Sequence, residues 1–209
     1  FDLPIALGIL AAAAQLPAAD LSQYEFAGEL ALSGELRAII GEIPMAIACK
    51  KSGRTLVIPS ENAEQASWVQ QVKILSLSHL KQLFPHFLKQ QSLPLVVTKT
   101  LQEYKTSTAH DIADVVGQPL AKRALEIAAS GGHNLLFIGP PGTGKTMLAS
   151  RLPGILPPMT EQEALSSAAI QSICHKAVNP ESWLTRPFRA PHHTASSAAL
   201  VGGGSHPQP

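Results

Sequence analysis

"NLLFIGPPGTGKTMLA", residues 134–149, decides the fold. The apolar run 134–138 predicts a buried strand, and "KTMLASRL" from Lys145 predicts a helix stopped by Pro153. Between them, Gly139-Pro140-Pro141-Gly142-Thr143-Gly144-Lys145-Thr146 fits GxxxxGK[ST] at every required position. A chain of phosphates is best cradled by backbone N–H groups pointing inward. Glycines stand where the backbone must bend tightly around such an anion. The following helix adds unpaired N–H groups and the positive end of its dipole. Lys145 can bring a full charge to the β- and γ-phosphates, and Thr146 offers a hydroxyl oxygen to Mg²⁺. Pro141, Gly142, Thr143, Gly144, Lys145 and Thr146 are therefore the candidate contacts for ATP and Mg²⁺. The bland alternative is an ordinary glycine-rich strand-to-helix turn, and the predicted flanking strand and helix argue against it.

The segment "DIADVVGQPLAKRALEIAASGGHN" leads into this loop. Pro119 suits the first turn of a helix, Leu120, Ala124 and Ala128 share a face that Ala121 and Leu125 widen, and Gly131 and Gly132 end it. Downstream, Thr160 and Glu163 form a capping box that opens another helix. Upstream, residues 4–15 predict a buried core helix and "EFAGELALSGELRAI" two strands around a Ser33-Gly34 turn. "PMAIACKKSG" predicts a short helix closed by Gly53, and "TLVIP" and "VKILS" are strands. A helix from Ser60 to about Gln70 lies between those strands, and one capped by Ser78 ends at Pro85. The fold class is α/β. A small domain over 1–92 and a linker over 93–110 precede a nucleotide-binding domain over 111–209.

Bulk numbers exclude several classes. The chain has 209 residues, 45% hydrophobic and 15% charged, with net charge +1. The near-zero charge argues against a broad basic surface, so nucleic acid cannot be inferred from overall charge. Cys49 and Cys174 lie far apart without a CxxC spacing, which implies neither a disulfide framework nor a thiolate metal site. The apolar opening lacks a basic flank and is too short to span a bilayer, so no membrane role is expected. With no initiating Met and a bare "GGGSHPQP" close, the chain is expected to be a fragment cut at both ends.

The run from Asp114 to Ala149 resembles the start of an AAA+ ATPase module, in which the segment matching Val116, Gly117 and Gln118 lies against the adenine. "RPFRAPHHTASSAALVGGG", residues 186–204, resembles the magnesium-chelatase-like AAA+ branch and, within it, the ComM/YifB family. The first ninety residues are similar to the Lon-protease-like domain that precedes the ATPase module there, giving a small α+β domain before an incomplete P-loop domain. The resemblance implies a cytoplasmic bacterial ATPase working as a homo-oligomeric ring, a hexamer, that remodels DNA as a branch-migration helicase in natural transformation.

Two departures qualify the resemblance. Lon-type proteolysis needs a Ser–Lys dyad. Met45 stands at the position of the lysine, and the matching serine falls at or before Phe1. Lys50 and Lys51 read as a solvated helix end, so this domain is expected to be proteolytically inactive. Second, no hydrophobic run ending in Asp-Glu follows Thr146, and Asp111 and Asp114 lie on the wrong side of the loop. The chain alone is expected to bind ATP with little or no hydrolysis.

Arg186, Phe188, Arg189, His192 and His193 are candidate pore or DNA contacts, since arginine pairs with phosphate and an aromatic ring can stack on a base. Structural packing around "RPFRAP" is the alternative. Zinc is disfavoured, because adjacent histidines on a strand face opposite ways and no third ligand stands nearby. Trp68 and Trp183 read as core. Two other functions stay open: the ATPase subunit of a metal chelatase acting on a partner protein, and a nucleotide-binding regulatory module without turnover. The Lon-like domain favours the DNA motor over the chelatase subunit.

Overall fold

The computed structural model describes residues 1–98, 110–174, 180, 183–192, 194 and 195. They fall into two compact units, the first holding 1–98 and 165–174, the second 110–164 and the described residues from 180 onward. Among them no helix is long and apolar enough to cross a membrane.

The first unit is a mixed α/β layer. Helix α1 (Asp2–Ala12) and the single turn α2 (Ala18–Leu21) precede β1 (Tyr24–Phe26), β2 (Glu29–Leu30) and β3 (Leu36–Arg37). Then come α3 (Glu42–Ser52), β4 (Thr55–Pro59), α4 (Ala63–Ala66), β5 (Ile74–Leu77) and α5 (Leu83–Phe87). The main sheet is parallel, in the order β1-β4-β5, while β2 and β3 form a separate antiparallel hairpin. β4 and β5 are covered on both faces, which is why their residues read as unbroken apolar runs. Leu3, Leu7, Val57, Leu77, Leu83 and Phe87 form the centre of the core.

Four expectations need correction here. α1 is not buried all round: Leu3 and Leu7 are enclosed, one helical turn apart, but Ile5 and Ile9 are 59% and 65% exposed. The helix expected from Ser60 is a 3₁₀ turn (Ser60–Asn62) running into the short α4, and Ser60 makes no capping bond. The next cap is His79 rather than Ser78, its Nδ1 accepting from the Lys81 N–H. Pro85 does not break the helix that follows. It occupies the first turn of α5, where its missing N–H has no carbonyl to meet.

Asn62 clamps the path into α3. Its Oδ1 accepts from the Ile39 N–H at 2.9 Å and its Nδ2 donates to the Ile39 carbonyl at 2.8 Å. The same amide reaches the buried carboxylate of Glu42 at 3.3 Å. α3 closes at Gly53, as expected, with Lys50 and Lys51 exposed in its last turn. Met45 lines an apolar hollow of about 550 Å³ with Phe1, Phe26, Ile40 and Cys49, and no lysine lines it. Burial pushes the Cys49 thiol up to about 11, helped by Glu25 and opposed by Arg54.

In the second unit, a 3₁₀ turn (Ile112–Asp114) precedes α6 (Pro119–Gly131), α7 (Lys145–Ala149) and α8 (Leu152–Ile155). α9 (Glu161–Ile173) opens here and continues into residues grouped with the first unit. Its start is the predicted capping box. Thr160 N–H donates to Glu163 at 2.8 Å, and Glu163 N–H donates back to the Thr160 hydroxyl at 3.3 Å. Trp68 and Trp183 are buried, as expected.

Candidate nucleotide-binding site

The site is built on a small apolar core. Val115, Leu125 and Leu148 are fully buried together, with Ile112, Ala121, Phe137, Leu152 and Ile155 packed around them. Val115 therefore anchors the segment 116–118 to the same core as α7, the helix that carries Lys145 and Thr146. Sequence reasoning passed over Val115; the signal was the doubled valine, one side chain for the core and one for the surface. Val116 is 94% exposed. Gly117 and Gln118 both take left-handed backbone angles, φ +71° and +53°, before Pro119 starts α6. For Gln118 that conformation is uncommon outside glycine and turns the chain sharply into the helix.

The expected face of α6 holds at Leu125, Ala128 and Ala121, which packs on the core, and fails at its first residue, Leu120. Leu125, Ala128 and Ala129 are buried, whereas Leu120 is 87% exposed. The strand expected at 134–138 does not form. The segment makes no ladder, and Leu136 and Ile138 are 78% and 88% exposed. The reason is backbone pairing: a strand needs a neighbour, and every strand among the described residues lies in the first unit. Phe137 still packs on the core and fixes where the loop begins.

The loop itself follows its residues. Gly142 and Gly144 have φ +80° and +82°, angles a side chain at Cβ disfavours, and a Cβ at Gly142 would project into open space. The hydroxyl of Thr143 donates to the Pro140 carbonyl at 3.0 Å and tightens the turn. Lys145 curls back over it, its Nζ donating to the Gly139 carbonyl at 2.8 Å and the Pro140 carbonyl at 2.6 Å. The N–H groups that open α7 have no carbonyl a turn earlier within the helix. Thr146 is exposed in the first turn. This donor set suits a polyphosphate with a divalent cation: open amides, one ammonium held only by neutral partners and one exposed hydroxyl.

Asp111 and Asp114 have a local job. The Asp111 carboxylate accepts from the Ala113 N–H at 2.9 Å, and Asp114 accepts from the Asp111 N–H at 3.3 Å. Arg186 braces the downstream segment. Its Nε donates to the Pro157 carbonyl at 2.8 Å, and its terminal nitrogens meet Glu163 at 3.3 Å. Glu163 is held below the usual carboxylate range mainly by the Thr160 N–H, then by the Thr160 hydroxyl and Arg186. Phe188 is 49% exposed, and Arg189 and His192 are exposed. His192 Nδ1 lies 2.7 Å from the Thr194 hydroxyl. His193 and residues 196–204 lie outside the described residues.

A glycine turn of this geometry leading into α7 defines a P-loop protein, consistent with an AAA+ module. Comparison with known families narrows this. The family described as "Magnesium chelatase, subunit ChlI" matches residues 111–209, and that described as "Subunit ChlI of Mg-chelatase" matches residues 1–62. Over its whole length the chain is 50% identical to "Competence protein ComM" of Haemophilus influenzae. It is 47% and 46% identical to the YifB proteins of Salmonella typhimurium and Escherichia coli. The chain belongs to the ComM/YifB family of magnesium-chelatase-like AAA+ proteins. It spans 42%, 41% and 41% of the length of these three relatives. Because a chelatase-type family matches residues 1–62 as well, the presence of that first segment does not separate a DNA motor from a chelatase subunit.

Proposed function

We propose that this chain is the nucleotide-binding part of an ATP-driven motor that remodels DNA, assembled as a hexameric ring in the cytoplasm. The observation that carries the reading is the loop at 139–146, with its two left-handed glycines and Lys145 folded over it. Mg²⁺ bound with ATP would neutralise charge developing on the phosphates. The amides of Gly142, Thr143 and Gly144 would bind the phosphate oxygens. Lys145 would exchange its two carbonyl acceptors for the β- and γ-phosphates, and the Thr146 hydroxyl would ligate the metal. Val116, Gly117 and Gln118 would lie along the adenine.

The DNA part rests on the ComM name of a 50% identical relative and on exposed Phe188, Arg189 and His192. We place the domains at 1–92 and 111–209 with a linker between, the first a Lon-like fold without protease activity, since Met45 replaces the needed lysine. A second reading, an ATPase subunit acting on a chelatase partner, draws on the descriptions of both matching families. ATP hydrolysis by the full-length protein, measured with and without branched DNA, tests the choice. Stimulation by branched DNA is the expected result. Stimulation only by a chelatase partner overturns it in favour of the second reading, and no turnover under any condition leaves a regulatory nucleotide-binding module.

A further inference from the structure

The N-terminal ends of the parallel strands in the first unit frame a second hollow, of about 360 Å³. Three cations reach it from three separate elements: Lys50 from the last turn of α3, Arg54 just before β4, and Lys73 just before β5. Gln23, Thr55 and Gln71 add neutral polar groups. Arg54 is ion-paired with Glu25, both side chains about half exposed. Among the described residues neither Lys50 nor Lys73 has an ion-pair partner. Like charges converging on one small volume repel, and an anion in that volume removes the repulsion.

Two further features shape the hollow for a ligand. Gln71 holds a left-handed backbone angle, φ +63°, which costs energy in a residue with a Cβ and tends to occur at binding sites. Its amide and that of Gln23 can donate to oxyanions without adding charge. Cys49 also lines the hollow and is neutral, its thiol held protonated by burial, so it does not oppose an anion there. We propose that this hollow binds a phosphate ester group, with Lys50, Arg54 and Lys73 as its cationic contacts and Gln71 as a neutral donor. The site belongs to the first unit alone and does not depend on the function assigned to the loop at 139–146. The same chemistry is offered by the backbone of a nucleic-acid strand and by a free phosphate compound.

The test uses the full-length protein carrying Lys145→Ala, so that the P-loop does not compete. Binding of a fluorescein-labelled single-stranded oligonucleotide is followed by anisotropy across a salt series, with inorganic pyrophosphate as competitor. Lys50→Ala/Lys73→Ala is compared with Arg37→Ala/Lys81→Ala, two exposed cations of the same unit outside the hollow. All four positions are exposed, and melting temperatures verify that both proteins are folded. If the site takes a strand, the first pair lowers the slope of log affinity against log salt by about 1.4, as expected for two lost phosphate contacts, and pyrophosphate competes poorly. If it takes a free phosphate compound, direct pyrophosphate binding is lost in the first pair only. Equal losses in both pairs, no loss in the first pair, or no binding of either probe before the hollow is mutated overturn the proposal.

Discussion

The ammonium of Lys145 donates to the carbonyl of Gly139, six residues earlier, at 2.8 Å. A long, flexible cation is thus held over the loop by neutral carbonyl partners, which an anion can replace. The pairing keeps the loop closed on itself and leaves the charge where a phosphate would meet it. Its neighbours set how much the loop tolerates.

Gly142→Ala separates backbone strain from steric block. Nothing lies within 4 Å of a Cβ at this position, so the change costs only the left-handed conformation. The expected loss of apo stability is about 1–2 kcal/mol. Mg-ATP affinity should fall by about tenfold or more, since relaxing φ turns an amide away from the phosphates. Denaturant unfolding and a binding titration on the same preparation check the two effects.

Asn62→Ala should be among the more damaging changes in the first unit. It removes both hydrogen bonds to the Ile39 backbone and the one to Glu42, and leaves buried groups unpaired. The expected loss is about 2–3 kcal/mol, read as a lower urea midpoint with an unchanged slope.

His86 gives a pH dependence with a definite sign. Its Nδ1 accepts from the Leu93 N–H, so in the neutral ring Nε2–H donates to the Tyr24 hydroxyl, both at 3.2 Å. Burial lowers its pKa from 6.5. The neutral form is favoured on folding, so its contribution is fully present above pH 6.5. That contribution is lost as pH falls through 6.5 and the folded-state value below it. Stability measured from pH 8 to pH 5 should show this decline, and His86→Gln should flatten it.

Cys49 and Cys174 are both buried, and Cys49 holds its proton tightly. Native protein should therefore react very slowly with an aromatic disulfide reagent, and both thiols should appear on unfolding. Fast native labelling at Cys49 would contradict the packing of α3 against β4.

The sequence made the local chemistry legible wherever one residue type has one use. The spacing of Gly139, Gly144 and Lys145, the Thr160–Glu163 box, and the Gly53 stop all appear in the structure. The unbroken apolar runs at 55–59 and 74–77 became parallel strands for the same reason: only a sheet covered on both faces accepts them. Legibility failed where the outcome depends on partners distant in the chain. Residues 134–138 have strand composition but no strand beside them among the described residues of their unit, and Leu120, expected on the buried face of α6, is exposed because the core with Val115 and Leu148 meets the helix at Leu125. Likewise, "RPFRAP" does not say that Arg186 meets Glu163, 23 residues away.

Calorimetric titration of Mg-ATP into the full-length protein and its Lys145→Ala variant tests the central claim most directly. The account predicts that the wild type binds, with about 2.7 kcal/mol of added stability when ATP is at one hundred times its dissociation constant. The variant should fold as well as the wild type without ATP and lose most of that gain. Equal binding in both proteins would place the nucleotide away from Lys145 and contradict the account.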